Sequence, residues 1–121
     1  MNFKQIASEM AKVASILCQA ATYARMRFIC ADKESAKEVL KDMKRIMEGQ
    51  FKKAWIDYGD EPAAVLEWGE TGAPDSELLD DFERKILKAP DDRVKGIDLI
   101  VNGKHTNNLR EFDKLLIKHY G

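Results

Sequence analysis

FKQIASEMAKVASILCQAATYARMRFIC, the stretch from Phe3 to Cys30, decides how the chain is read. Phe3, Ile6, Met10, Val13, Leu17, Ala20 and Ala24 recur at spacings of three and four, with Ala7, Ala14, Ala21 and Phe28 beside them. On an α-helix these positions share one broad face. Lys4, Gln5, Ser8, Glu9, Lys12, Ser15 and Gln19 fall on the other face, and no Pro or Gly interrupts the run. The alanines favour helix and let a neighbouring helix approach closely. The stretch is therefore expected to form one long amphipathic helix over 3–30.

A second helix is expected over 33–58. Ala36, Leu40, Met43, Met47, Phe51, Ala54 and Tyr58 keep the same three-and-four spacing. Between the two lies Cys30-Ala31-Asp32-Lys33-Glu34-Ser35, which offers Asp32 as an N-cap, or Ser35 with Glu38 as a capping box. So short a connection makes the helices antiparallel neighbours. The expected fold is mainly α: a long antiparallel helical hairpin, 3–30 and 33–58, packed by shorter helices.

Those shorter elements follow in order. Gly59-Asp60-Glu61-Pro62 stops one helix and starts another, so 62–68 is expected to be a short helix ended by Gly69. After a loop over 69–74, Asp75 or Ser76 caps a helix over 76–89. Its acids come early and its bases late, which suits the macrodipole, and Leu78, Leu79, Phe82 and Ile86 form its buried stripe. The segment from Val94 to Thr106 reads two ways. Ile97, Leu99 and Val101 alternate with Asp98 and Ile100, and Asn102-Gly103 is a strong type I′ turn signal, which favours a small β-hairpin over 97–106. The rival is a helix capped by Asp91 or Asp92, against which Gly96 and the β-branched residues weigh. A last helix is expected over 108–119, with Asn108 and Glu111 as its capping box. No linker or internal repeat divides 1–121, so one domain is expected.

Charge is unevenly placed. The net charge is −1, which gives no bulk attraction to nucleic acid or to an anionic membrane. Residues 57–83 hold ten acids and no Lys or Arg, while 1–56 hold eleven bases against six acids and 84–121 nine against five. No apolar run is long enough to span a membrane, and the start carries no signal-peptide pattern. Cys18 and Cys30, on one continuous helix, would lie about 18 Å apart and could not bridge. Free thiols and a cytoplasmic protein are expected.

Little chemistry is legible. His105 and His119 have no metal-ligand spacing with either cysteine, and no P-loop, dinucleotide fingerprint or nucleophile elbow is present. The acids Asp75, Glu77, Asp80, Asp81 and Glu83 point in different directions on a helix and read as a solvated face. No catalytic, metal or cofactor residue is assigned, and no enzyme is expected.

A helix of 28 residues would be about 42 Å long, against a globule about 35 Å across. Helix 1 therefore needs a further surface. Ile16, Tyr23, Met26 and Cys30 form an apolar line roughly 120–200° from Leu17, Ala24 and Phe28, and are assigned to self-association. The acidic loop with Trp68, Glu70, Asp75 and Glu77 is assigned to a protein partner with a basic surface. The expected function is a non-enzymatic protein-binding module of the inhibitor, immunity-type, adaptor or phage accessory kind, forming a homo-oligomer. The alternative is a small nucleic-acid-binding regulator using Lys33, Lys37, Lys41 and Lys44 with Lys104, Arg110, Lys114 and Lys118. Glu34, Glu38, Asp42 and Glu48 interleave with the first set, as on an ordinary exposed helix.

Overall fold

The computed structural model describes residues 22–70, 72–88 and 92–120. From Ala24 the chain is extended, which overturns the long helical hairpin. Ala24, Met26, Phe28 and Cys30 are buried while Arg25, Arg27 and Ile29 between them are half-exposed. That is the two-residue period of a strand, β1, Ala24–Cys30. On a helix, Met26 and Phe28 would stand about 200° apart and could not share a core. Residues 3–21 of the expected first helix, Ile16 and Cys18 among them, lie outside the described residues.

The first helix, α1, Lys33–Met47, starts where expected: Asp32 Oδ1 accepts the Ser35 N–H at 2.7 Å. It stops well short of Tyr58. Glu48 and Gly49 take left-handed backbone conformations, φ 52° and 81°, an αL stop that Gly accepts without strain. Beyond it, β2, Lys53–Asp57, and β3, Ala63–Trp68, are strands where helix was expected. Ala63, Ala64, Val65 and Leu66 are all buried, so β3 is covered on both faces. Such a run is too short for a packed helix but suits a central strand.

The later elements follow the sequence reading more closely. Asp75 Oδ1 accepts the Glu77 N–H at 3.1 Å and caps α2, Ser76–Phe82, which continues into one π-helical turn, Glu83–Leu87. β4, Val94–Val101, and β5, Lys104–Thr106, form the hairpin, with Asn102 and Gly103 at φ 48° and 83° in its two-residue turn. Asn108 Oδ1 accepts the Glu111 N–H at 3.1 Å at the start of α3, Leu109–Tyr120.

The five strands form one antiparallel sheet in the order β2-β3-β1-β4-β5. With helices after β1 and β3, the first four strands have the order of the ferredoxin-like split βαβ arrangement. β5 and α3 extend it. The protein is thus a mixed α/β fold, not a mainly helical one.

All three helices pack on one sheet face. Ala24, Met26, Phe28 and Cys30 of β1, Leu66 and Trp68 of β3, and Leu99 and Val101 of β4 meet Val39 and Met43 of α1, Phe82 of α2, and Phe112 and Leu116 of α3. Phe28 and Phe82 meet edge to face, centroids 5.8 Å apart at 84°. Polar ties close the layer. Ser76 Oγ donates to Asp113 Oδ1 at 2.6 Å, Tyr120 Oη to the Gly69 carbonyl at 2.7 Å, and Arg93 pairs with Asp42 at 2.9 Å.

Candidate binding face

The strand registers put a second set of side chains on the opposite face, where none of the described helices packs. Lys53, Glu67, Arg25, Ile100 and His105 form one row across β2, β3, β1, β4 and β5. Trp55, Val65, Arg27 and Asp98 form the next. Asp57, Ala63, Ile29 and Gly96 form the third. Alternation is the cause: each core residue of a strand is flanked by residues aimed the other way.

A cavity of about 200 Å³ opens on this face, lined by Arg25, Arg27, Trp55, Asp57, Val65 and Asp98. Val65 is 1% exposed and lies between Trp55 and Arg27 in the cross-strand row. Asp57 and Asp98 already have partners here. Arg27 Nη2 lies 3.3 Å from Asp57 Oδ2, and His105 Nδ1 lies 2.9 Å from Asp98 Oδ1. Arg25 is different. Its Nε is buried with no hydrogen-bond partner among the described residues, and the guanidinium lies beside the Tyr23 hydroxyl. Burial and then the charge of Glu67 push the Tyr23 hydroxyl above its ordinary pKa, against the pull of Arg25. A buried, unpaired guanidinium N–H is costly, and Arg25 also lines the cavity, where its charge can meet a ligand's carboxylate.

A larger cavity, about 440 Å³, lies between α1 and α2, lined by Asp42, Arg45, Ile46, Glu48, Leu78, Asp81 and Lys85. Size does not make it the better site. Arg45 pairs with Asp42, and Arg84 with Asp81, each three residues along its helix. Such pairs are the ordinary furniture of exposed helices, and no aromatic anchor stands among the lining residues.

The residues singled out from the sequence fall in several places. Trp68 is 2% exposed, and its Nε1 donates to the Gln50 carbonyl at 2.5 Å, so it braces the core and offers no surface anchor. Glu70 is exposed just after β3, Asp75 caps α2, and Glu77 is exposed in that helix's first turn. Met26 and Cys30 face the core, while Tyr23 stands beside Arg25 on the other face, so these three, the described members of the apolar line drawn on a helix, share no common face. Burial raises the Cys30 thiol pKa. Lys33, Lys37, Lys41 and Lys44 are exposed along α1, with Lys37 Nζ 3.5 Å from Glu34. Among the described residues no group of three or more His, Cys, Asp or Glu is placed to hold a metal, and no helix is long and apolar enough to cross a membrane.

The sequence reading missed Arg25, Arg27, Trp55, Val65 and Asp98 as a set. Arginine at alternate positions of Ala24-Arg25-Met26-Arg27-Phe28 was the signal for two of them. The others join only through strand register. No protein-family model, curated protein or solved structure matches the chain.

Proposed function

We propose that the chain is a non-enzymatic, intracellular protein-binding module whose contact surface is the second sheet face, around Arg25 and Trp55. The observation that carries this reading is the trough itself: Trp55 and Arg27 flank buried Val65, next to an Arg25 that lacks an acceptor for Nε. Trp, Tyr and Arg are the residue types in which interface energy concentrates. The favoured partner places a carboxylate at Arg25 and an apolar or aromatic side chain against Trp55, rather than the basic surface that the acidic segment alone suggests. Charge on this face is balanced, with Lys53, Arg25 and Arg27 against Glu67, Asp57 and Asp98. That disfavours a phosphate backbone, which needs a continuous basic track. The fold lends no support by analogy, because this arrangement hosts many unrelated functions.

Selection of peptides from a random display library against the purified chain tests the reading. Enriched peptides should carry Asp or Glu next to an aromatic or aliphatic residue. Arg25→Met and Trp55→Ala should each weaken a selected peptide by about tenfold or more, with the fold intact by circular dichroism. Peptides without an acid, or binding by both variants as tight as by the unaltered chain, would remove the proposal. Binding of random-sequence DNA at low salt, lost steeply as salt rises, would instead favour the nucleic-acid alternative through the α1 lysines.

A further inference from the structure

β2 is an edge strand, and among the described strands it has a neighbour on one side only. An unpaired strand rim is a template for another strand, and stable proteins usually blunt it with charge, a bulge or a cover. The five residues of β2 read Lys53-Ala54-Trp55-Ile56-Asp57. Turned antiparallel against itself about Trp55, this segment is self-complementary. Lys53 falls opposite the second copy's Asp57, Asp57 opposite its Lys53, Ala54 opposite Ile56, and Trp55 opposite Trp55. Opposite charges and paired aromatics are the cross-strand partners that stabilise a sheet, and a two-fold contact needs only one such patch.

Two observations favour this occupant over others. Lys53 has no ion pair among the described residues, and the Asp57 side chain, which meets Arg27 and accepts the Gly59 N–H, remains 43% exposed, so each can take a further partner. Tyr58, one residue past the strand, is 57% exposed, one of two large hydrophobic side chains left open among the described residues. Continued pairing sets it opposite the second copy's Lys52. The opposite edge is a poorer candidate, since β5 has three residues, Lys104-His105-Thr106, and self-pairing there sets His105 against His105.

We infer that two copies of this chain associate through antiparallel β2–β2 pairing, giving a ten-stranded sheet continuous across the two-fold axis. An axis normal to the sheet keeps both helix layers on one side and both troughs on the other, with the Trp55 rings next to the axis. The inference is independent of the peptide-binding proposal: the dimer can form with the troughs empty, and the troughs can be filled in a monomer. Lys53 also gives selectivity. A lysine on an edge repels most added strands, and in this register alone it meets a carboxylate. A five-residue strand pair is smaller than a standard interface, so the dimer is expected to dissociate on dilution in the micromolar range.

Sedimentation velocity over a concentration series reads the result. The unaltered chain should show a reversible monomer–dimer equilibrium, and amide exchange within β2 should slow as concentration rises. Lys53→Glu and Asp57→Lys should each weaken the dimer by about tenfold or more. Mixing the two variants should restore association as a heterodimer. The glutamate introduced in one copy then faces the lysine introduced in the other, and the unaltered Asp57 of the first faces the unaltered Lys53 of the second. Lys53→Glu alters an exposed side chain and should leave the fold intact, so it decides the matter alone if Asp57→Lys does not fold. A chain that stays monomeric at millimolar concentration overturns the inference. So does a dimer that Lys53→Glu leaves unchanged, or β2 exchange that does not depend on concentration.

Discussion

Arg25 stands in the central strand with its Nε buried and unbonded, next to Tyr23 and Glu67. A residue chosen for stability alone would not be an arginine there. Leaving one buried donor unsatisfied costs about 1–3 kcal/mol, whereas an apolar side chain of similar length has nothing to leave unsatisfied. Arg25→Met should therefore hold or raise stability by up to about 1 kcal/mol in a urea melt, the lost Tyr23 contact offsetting part of the gain. The same variant should lose peptide binding. A fall in stability of more than about 2 kcal/mol would mean that Arg25 braces the sheet, and that its burial is structural rather than poised for a ligand.

Where the chain's local signals lie within one element, they were legible; where they depend on a neighbouring strand, they were not. Asp32 could be read as a cap because the acceptor and the N–H it satisfies are three residues apart. Asn102-Gly103 could be read as a turn because both residues tolerate positive φ. The Asp32 reading has a direct test. The Ser35 backbone and side-chain hydrogen bonds hold its carboxyl below the usual 3.8, so the cap's ionic contribution is present above that pH and fades as pH falls through the lowered value. Asp32→Ala should lower Tm by several degrees at pH 7, and Asp32→Asn by less, since the amide oxygen still accepts. Once pH has fallen through that lowered value, Asn should match or exceed the native residue. Equal Tm values for all three would show that the cap contributes nothing. The long-helix reading fails on particular residues. Gly49 is masked in the sequence because Met47, Phe51 and Ala54 keep a helical spacing across it, yet the chain turns there into αL. Ala63-Ala64-Val65-Leu66 has no period, and Pro62 before it suggests a helix start when its flanks equally bound a short buried strand. The binding face was hidden for the same reason. Arg25 and Trp55 are thirty residues apart in sequence and come onto one face only through β3, whose register with both neighbours no local pattern carries.

Across the whole molecule, the C-terminal helix holds the layers together and also exposes the fold to alkali. α3 places Phe112 and Leu116 in the core, and its last residue reaches back to the end of β3, where Tyr120 Oη donates to the Gly69 carbonyl at 2.7 Å. Burial raises the Tyr120 hydroxyl from 10.0 to about 12. A phenol that must be neutral to donate, and is partly desolvated, favours the protonated folded state. Below pH 10 it is protonated whether the chain is folded or not, so its contribution is complete and independent of pH. From pH 10 upward the unfolded chain releases this proton while the folded chain keeps it, so stability falls until the folded group itself ionises near pH 12. Tyr23, raised by burial and Glu67, acts in the same direction. Tyr120→Phe removes the titration and the bond together. At pH 8 it should cost about 1 kcal/mol, because the Gly69 carbonyl loses its donor. Between pH 10 and 12 the native chain should lose stability faster than the variant, so that the two Tm curves converge or cross. Parallel curves over that range would mean that the Tyr120 hydroxyl is not desolvated in the folded chain, and an unchanged Tm at pH 8 would mean that its bond to Gly69 does not anchor α3.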